Sequence, residues 1–173
     1  VSVAMPKPEV IRAGTDEWFG EYTIVWFNGR IYGKPRDLDE AYEFLQILSG
    51  KVHKVLTAVC LVNRSLAQQQ EFVAQSLVRF RQLDDADIKR YLQLVPVLDK
   101  AGAYGIQEHG EMLVESIEGE LENIIGLPVG ELTRLFCKVG ISDIKVCFKN
   151  HVYCLNHRFL LLTRQFFYLE AES

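Results

Sequence analysis

The sequence predicts an α/β domain, because runs with the character of β-strands alternate along the chain with runs of helical periodicity. The strand-like runs combine β-branched and aromatic residues, as in residues 22–33, 53–63 and 71–80. The helical runs repeat apolar residues at three- and four-residue spacing, and each begins beside an aspartate or a proline. At 173 residues the chain has the length of one domain with a substantial core.

The amino-terminal part of the chain is expected to hold a lead-in followed by a hairpin. Residues 1–20 contain prolines and glycines with little periodicity, which predicts an irregular segment. From Tyr22 onward, β-branched and aromatic residues alternate around Asn28-Gly29, a pair typical of two-residue hairpin turns. Two antiparallel strands should therefore meet at that turn.

Three helices are predicted from their caps and their apolar spacing. The first follows Asp37 or Asp39, the second follows Asp84 or Asp85, and the third has Pro128 in its first turn. Their apolar positions are Ala41, Phe44, Leu45 and Leu48, then Ile88, Tyr91 and Leu92, then Leu132, Leu135, Phe136 and Val139. Between the first two helices, residues 53–63 and 71–80 should pair as antiparallel strands, and residues 110–120 should add another strand.

Charge and apolar content exclude two classes of partner. The net charge of −4 and the pI near 5.6 leave no basic surface for a nucleic acid polymer. The strongly apolar run at residues 159–163 is far shorter than a membrane span. Four unevenly spaced cysteines and the lack of a recognisable signal peptide indicate a reducing compartment, so we expect a cytoplasmic protein.

The stretch Asp99 to Gln107, DKAGAYGIQ, is the first candidate for a binding site. Glycine and alanine allow the main chain to approach a flat or charged ligand closely. The amide of Gln107 offers both a donor and an acceptor, which can match the polar edge of a pyrimidine base. A plain glycine-containing turn between a helix and a strand is the alternative reading of the same residues.

Several further motifs stand in a fixed order around this stretch. They are GEYTIVWFNGRIYGKPRDLDEA, LSGKVHKVLTAV, VRFRQL with DIKRYL, and NIIGLP. Together they resemble the Maf-type nucleotide pyrophosphatases, also called septum formation inhibitor Maf proteins, which look related to the inosine triphosphate pyrophosphatase superfamily. The resemblance implies a mixed, twisted sheet flanked by helices. It also implies hydrolysis of dTTP, UTP or modified pyrimidine triphosphates to a monophosphate and pyrophosphate, a divalent metal (Mg²⁺ or Mn²⁺) and a homodimer.

The resemblance also implies roles for individual residues. Lys34 matches a phosphate-binding lysine, and Thr23 and Gln107 match positions used for base selection. Asp99 and Lys100 match an acid–base pair beside the glycine loop. Without the resemblance, Lys34 would be interpreted as a solvated turn lysine and the Asp99–Lys100 pair as a surface ion pair. His53 is expected to support the packing of strand and loop.

Two departures from the family pattern bear on activity. Tyr22 stands where the family has a catalytic or metal-binding aspartate, and a phenol is a poor base at neutral pH and a poor ligand for magnesium. Replacement of that aspartate by the adjacent Glu21 would need a bulge or a one-residue slip. The family's Ser-x-Ser-Pro-Arg-Arg loop is not spelled before Tyr22, so we expect its amino-terminal element to be missing or replaced.

These observations divide the chain into an irregular lead-in (1–20), a Maf-like nucleotide-binding domain (21–145) and an apolar carboxy-terminal extension (146–173). The extension could cover an exposed sheet face, pair with a second chain or be a foreign tail, and the sequence leaves these alternatives open. The predicted function is nucleoside triphosphate pyrophosphatase, with activity impaired at Tyr22. A non-catalytic nucleotide-binding or interaction protein derived from the same family is the alternative.

Overall fold

The computed structural model describes residues 9–12, 17–63, 68–138, 144–148, 151–156 and 159–163. The strands are β1 (Glu9–Arg12), β2 (Glu17–Phe27), β3 (Arg30–Tyr32), β4 (Val52–Asn63), β5 (Gln68–Phe80), β6 (Val114–Glu118), β7 (Ile144–Phe148), β8 (His151–Asn156) and β9 (Phe159–Thr163). The helices are α1 (Leu38–Leu48), α2 (Asp85–Leu94), α3 (Leu121–Ile125) and α4 (Val129–Lys138). Short 3₁₀ turns occupy Ala101–Ala103 and Gly110–Met112.

The central sheet has the order β1-β2-β4-β5-β6, with the short strand β3 also paired to β2. Each described pair of neighbouring strands is antiparallel. Helices flank this sheet, so the predicted α/β class is confirmed. Strands β7, β8 and β9 form a separate three-stranded antiparallel sheet.

Local sequence signals explain the turn and the helix starts. Asn28 and Gly29 both have positive φ, at 48° and 79°, as the two-residue turn between β2 and β3 requires. Asp37 caps α1 by accepting from the main-chain N–H of Glu40 at 2.8 Å. Asp84 and Asp87 form a capping box at the start of α2. The predicted hairpin and both helices are therefore confirmed.

One face of the central sheet is covered and the other is open. At alternate positions of β2, β4 and β5 the side chains are buried against the helices. They are Val25, His53, Val55, Thr57, Val59, Ala74, Ser76, Val78 and Phe80. The described side chains at the intervening positions, including Tyr22 and Val73, are half-buried or exposed. We call these the covered face and the open face.

Two expectations need correction, and a third falls outside the described residues. The predicted irregular lead-in is wrong at residues 9–12 and 17–20, which are strand: residues 17–20 pair with β4, and β1 adds to the edge of β2. The sequence does not reveal these strands, because β1 has charged residues at both ends and the start of β2 contains Glu17 and Gly20. The strand predicted at 110–120 is shorter, because residues 110–112 form a 3₁₀ turn before β6. Val139, assigned to the last helix, lies outside the described residues, as do residues 164–173 of the extension.

The described helices are short, and among them none has both the length and the apolar character needed to cross a lipid bilayer.

Candidate functional site

The segment that carries Lys34 meets the glycine loop at one corner of the covered face. The main-chain N–H of Gly102 donates to the carbonyl of Gly33 at 3.0 Å, just after β3. Gly102 has φ of 68°, and a Cβ there would lie 2.7 Å from Cγ2 of Val25. Only glycine therefore combines this conformation with such close packing on β2. At Gly102 the glycine loop therefore packs tightly against β2 and bonds to the segment after β3.

Hydrogen bonds of two buried tyrosines, Tyr104 in the loop and Tyr91 on α2, fix the position of the loop. The hydroxyl of Tyr104 lies 2.8 Å from Nε2 of His53 on β4. The main-chain N–H of Gly105 donates to the hydroxyl of Tyr91 on α2 at 3.0 Å. Burial lowers the pKa of His53 to about 4, so the imidazole is neutral at physiological pH. Burial also raises the pKa of Tyr91 to about 12 and that of Tyr104 further, so both phenols stay protonated. The expectation that His53 supports strand and loop packing is confirmed.

Lys100 is engaged by carboxylates of its own loop. Its Nζ lies 2.9 Å from Asp99 Oδ1 and 3.2 Å from Glu108 Oε1, and its stem packs against Gly105. Burial acts to lower the pKa of Lys100, but the hydrogen bonds and charges of the two carboxylates outweigh it and raise the pKa. The Lys100 side chain is 13% exposed and that of Asp99 73%. This geometry ties the two ends of the loop together.

A polar network runs beneath Thr23 on the covered face. The hydroxyls of Thr23 and Thr57 lie 2.9 Å apart, and Thr57 donates to the carbonyl of Asn123 at 3.2 Å. The Asn123 side chain donates from Nδ2 to Ser76 Oγ at 3.0 Å and to the Val55 carbonyl at 3.3 Å. Thr57, Ser76 and Asn123 are buried, so β2, β4, β5 and α3 are fixed relative to one another here.

The structure brings some of the predicted residues to this corner. The pairing of β2 with β3 ends at Val25 and Tyr32, and Lys34 follows directly after Gly33, whose carbonyl accepts from Gly102. Lys34 is exposed, as is Gln107, which follows the pinned loop. No hydrogen bond joins Lys34 to Gln107 in the part of the chain that the structure describes. A cleft enclosed by these two side chains stays a prediction.

Tyr22 occupies the other face of β2. It pairs with Ala58, while Thr23 pairs with Thr57, and neighbouring strand residues point to opposite faces. The β2–β4 register runs without a bulge from Glu17 to Trp26. The alternative in which a bulge brings residue 21 to the place of Tyr22 is therefore wrong for this backbone, and the alternative of a one-residue slip stays open.

A shallow, open pocket of about 270 Å³ lies beside the turn between β2 and β3, at the start of β4. It is lined by Trp26, Phe27, Asn28, Val52, His53, Lys54 and Leu77. Lys54 Nζ lies 5.3 Å from the centre of the Trp26 ring. None of the residues predicted to bind substrate lines this pocket. The pocket therefore does not test the roles predicted for those residues.

Among the described residues, no group of three or more histidine, cysteine, aspartate or glutamate side chains is placed to hold a metal ion. Asp99 and Glu108 are carboxylates at the two ends of the glycine loop, and both contact Lys100. Tyr22 supplies no carboxylate. The described residues therefore do not fit a site in which protein ligands alone hold Mg²⁺ or Mn²⁺.

Sequence reasoning did not identify Thr57, Ser76, Asn123 and Tyr91 as parts of the site. The hydrogen bond between Thr23 and Thr57 spans 34 positions, and that between Thr57 and Asn123 spans 66. An asparagine before the apolar run Ile124 to Leu127 was the one local signal, because a buried amide needs partners.

The chain is similar to one protein family and to several relatives of stated activity. The family model described as Maf-like protein matches residues 7–139. A dTTP/UTP pyrophosphatase of Akkermansia muciniphila is 42% identical over 121 residues, covering 70% of this chain and 63% of that protein. One from Bdellovibrio bacteriovorus is 43% identical over 116 residues, covering 67% and 60%. One from Latilactobacillus sakei is 43% identical over 135 residues, covering 78% and 69%. The chain spans about three fifths of the length of the first two relatives.

Proposed function

Because the chain belongs to the Maf-like protein family, we propose that it is a nucleoside triphosphate pyrophosphatase acting on dTTP, UTP or modified pyrimidine nucleotides. In this reaction water adds to the α phosphorus and the bond to the α–β bridging oxygen breaks, which yields a monophosphate and pyrophosphate. The observation that carries the proposal is the backbone bond from Gly102 to Gly33. It joins the lysine-bearing end of the hairpin to the glycine loop.

The proposed roles follow from exposure and charge. Lys34 is exposed and would bind a phosphate oxygen as a point charge. Thr23 and the exposed Gln107 would contact the base. Lys100 is engaged by Asp99 and Glu108, so this group would shape the substrate-binding loop and Lys100 would add little net positive charge. Tyr22 stands at the family's aspartate position and would not act as a base.

A requirement for Mg²⁺ or Mn²⁺ belongs to the proposal on family grounds, although the described carboxylates form no site for either ion. Hydrolysis would be lost on chelation with EDTA and restored by added Mg²⁺ or Mn²⁺. Hydrolysis unchanged in EDTA would remove the metal from the proposal.

Pyrophosphate release from dTTP and UTP tests the reaction itself. We expect turnover that is slow for an enzyme but greater with pyrimidine than with purine triphosphates. Lys34→Ala should reduce it, whereas Lys51→Ala, at another exposed lysine, should not. Wild-type protein that releases no pyrophosphate, or equal rates for the two variants, would contradict the proposal.

The position of Tyr22 favours a second candidate, a non-catalytic nucleotide-binding or interaction protein. Tyr22→Asp supplies the carboxylate that the family pattern expects, and we predict a rise in hydrolysis of about 10²- to 10⁴-fold, the usual contribution of a general base. Tyr22→Phe is the matched control and should leave the rate unchanged. Equal rates for the two variants would show that position 22 does not limit activity.

We further propose that the protein works in the cytoplasm as a homodimer, without nucleic acid polymers or membranes as partners. Light scattering of the purified protein should give twice the mass of 19.8 kDa. A monomer at micromolar concentration would remove the homodimer from the proposal.

A further inference from the structure

We propose that Tyr91 is a positioning residue for Gln107. Its hydroxyl bonds to both main-chain polar groups of Gly105, so that the turn which carries Gln107 is formed before a nucleotide binds. Tyr91 lies on α2 and is fully buried, so it acts on the nucleotide only through this turn. The inference deepens the proposed function and rests on it, because it assumes that Gln107 contacts the base.

Gln107 lies in the middle of a closed four-residue turn. The carbonyl of Gly105 accepts from the main-chain N–H of Glu108 at 3.2 Å, which is the hydrogen bond of a β-turn with Ile106 and Gln107 as its central residues. Ile106 packs over Gly110, where an added Cβ would lie 3.3 Å from Cγ1 of Ile106. Gln107 is exposed. The turn therefore anchors one central residue and leaves the other accessible to a ligand.

Tyr91 fixes the first residue of this turn at two points. The N–H of Gly105 donates to the Tyr91 hydroxyl at 3.0 Å, and the hydroxyl donates to the Gly105 carbonyl at 3.4 Å. A phenol has one proton to donate and lone pairs that accept, so both hydrogen bonds can form together. The carbonyl that closes the turn thus has two donors, Glu108 N–H and the Tyr91 hydroxyl.

Lys100 holds the last residue of the same turn. Its stem crosses Gly105, where an added Cβ would lie 2.9 Å from Cε of Lys100, and its Nζ reaches Glu108 Oε1 at 3.2 Å. The turn is therefore fixed at its first residue by Tyr91 and at its last by Lys100. A segment that already has its bound geometry loses less conformational freedom on binding, and this increases affinity.

A double-mutant cycle measured by calorimetric titration with the α,β-methylene analogue of UTP tests the inference. Tyr91→Phe keeps the ring and removes the hydroxyl, and it should weaken binding by about 3- to 10-fold. Gln107→Ala should weaken binding by about tenfold or more. Tyr91→Phe added to Gln107→Ala should weaken binding by no more than about twofold further, because the residue through which Tyr91 acts is gone. A general loss of packing would weaken binding equally in both backgrounds.

Tyr42→Phe is the matched control. It removes a tyrosine hydroxyl on α1 that bonds to Asp85 at the start of α2, away from the turn. Its affinity should stay within about twofold of the wild-type value.

Amide hydrogen exchange of the free wild-type protein measures the turn itself, and it decides the question even if Tyr91→Phe does not fold. The amides of Gly105 and Glu108 should exchange at least about 100-fold more slowly than in an unstructured peptide. In folded Tyr91→Phe both should exchange about tenfold faster than in wild type.

The outcomes separate this inference from the proposed function. Wild-type protein that does not bind the analogue, or binding that Gln107→Ala leaves unchanged, would contradict both. If Gln107→Ala weakens binding and Tyr91→Phe does not, the inference alone is overturned. Equal losses from Tyr91→Phe in the two backgrounds, or exchange of the Gly105 and Glu108 amides at unstructured rates, would also overturn it alone.

Discussion

The covered and open faces of the central sheet are made by the same strands, yet they differ in how firmly their side chains are held. On β2, Thr23 belongs to a hydrogen-bonded network that reaches α3, while its neighbour Tyr22 is half-buried on the open face. On β5, Val78 is fully buried and Val73 is 63% exposed. The elements proposed to bind nucleotide meet at a corner of the covered face, and Tyr22, proposed to stand at the family's aspartate position, lies on the open face.

The proposed binding corner and the proposed catalytic position therefore depend on different sets of contacts. The corner depends on buried polar groups with fixed partners, which give it one geometry. The side chain of Tyr22 forms no hydrogen bond with the described residues, so its identity can change without disturbing the corner. Retention of nucleotide binding with loss of catalysis is what this arrangement allows.

Among the changes compared here, protonation of His53 on the covered face should lower the free energy of unfolding most. Its pKa of about 4 lies below the usual 6.5, so the unfolded chain binds a proton that the folded protein excludes between these values. Stability should therefore fall as the pH drops from 6.5 towards 4, by up to about 3 kcal/mol. Urea unfolding across this range measures the slope.

His53→Gln should flatten that slope, and His109→Gln, at a histidine that is exposed, should leave it unchanged. If the slope persists in His53→Gln, burial of this imidazole is not the source of the acid sensitivity.

Trimming one valine on each face compares packing directly. Val78→Ala should lower the free energy of unfolding by about 2 kcal/mol, since two buried methyl groups are lost and a cavity remains. Val73→Ala, on the same strand and the open face, should change it by less than about 0.5 kcal/mol. Equal losses in chemical denaturation would mean that the open face is covered in solution.

Removing one hydroxyl on each face gives the smallest effect. Tyr104→Phe should lower the free energy of unfolding by about 1 to 2 kcal/mol. It removes the hydroxyl that bonds to Nε2 of His53 and leaves that buried nitrogen without a partner. Tyr22→Phe should leave the free energy of unfolding unchanged. Thermal unfolding of the two variants and the wild type measures both effects. A neutral Tyr104→Phe would show that the loop does not depend on this hydrogen bond.

Local signals predicted the parts of the fold that local physics determines. Asn28-Gly29 predicted the hairpin because few other pairs adopt two consecutive positive φ angles, and Asp37 and Asp84 predicted helix starts because they cap free N–H groups. The start of β2 was missed because pairing with β4, rather than composition, makes it a strand. The network of Thr57 and Asn123 was missed because it joins distant residues.

We propose that the corner formed by Lys34 and the glycine loop binds a pyrimidine triphosphate. Calorimetric titration with the α,β-methylene analogue of UTP tests it most directly, using wild type, Lys34→Ala and the charge-matched control Lys51→Ala. We predict binding by wild type and by Lys51→Ala within about twofold of each other, and binding about 10- to 100-fold weaker for Lys34→Ala, as expected for one lost charge-assisted contact. No binding by wild type, or equal affinities for all three proteins, would contradict the claim.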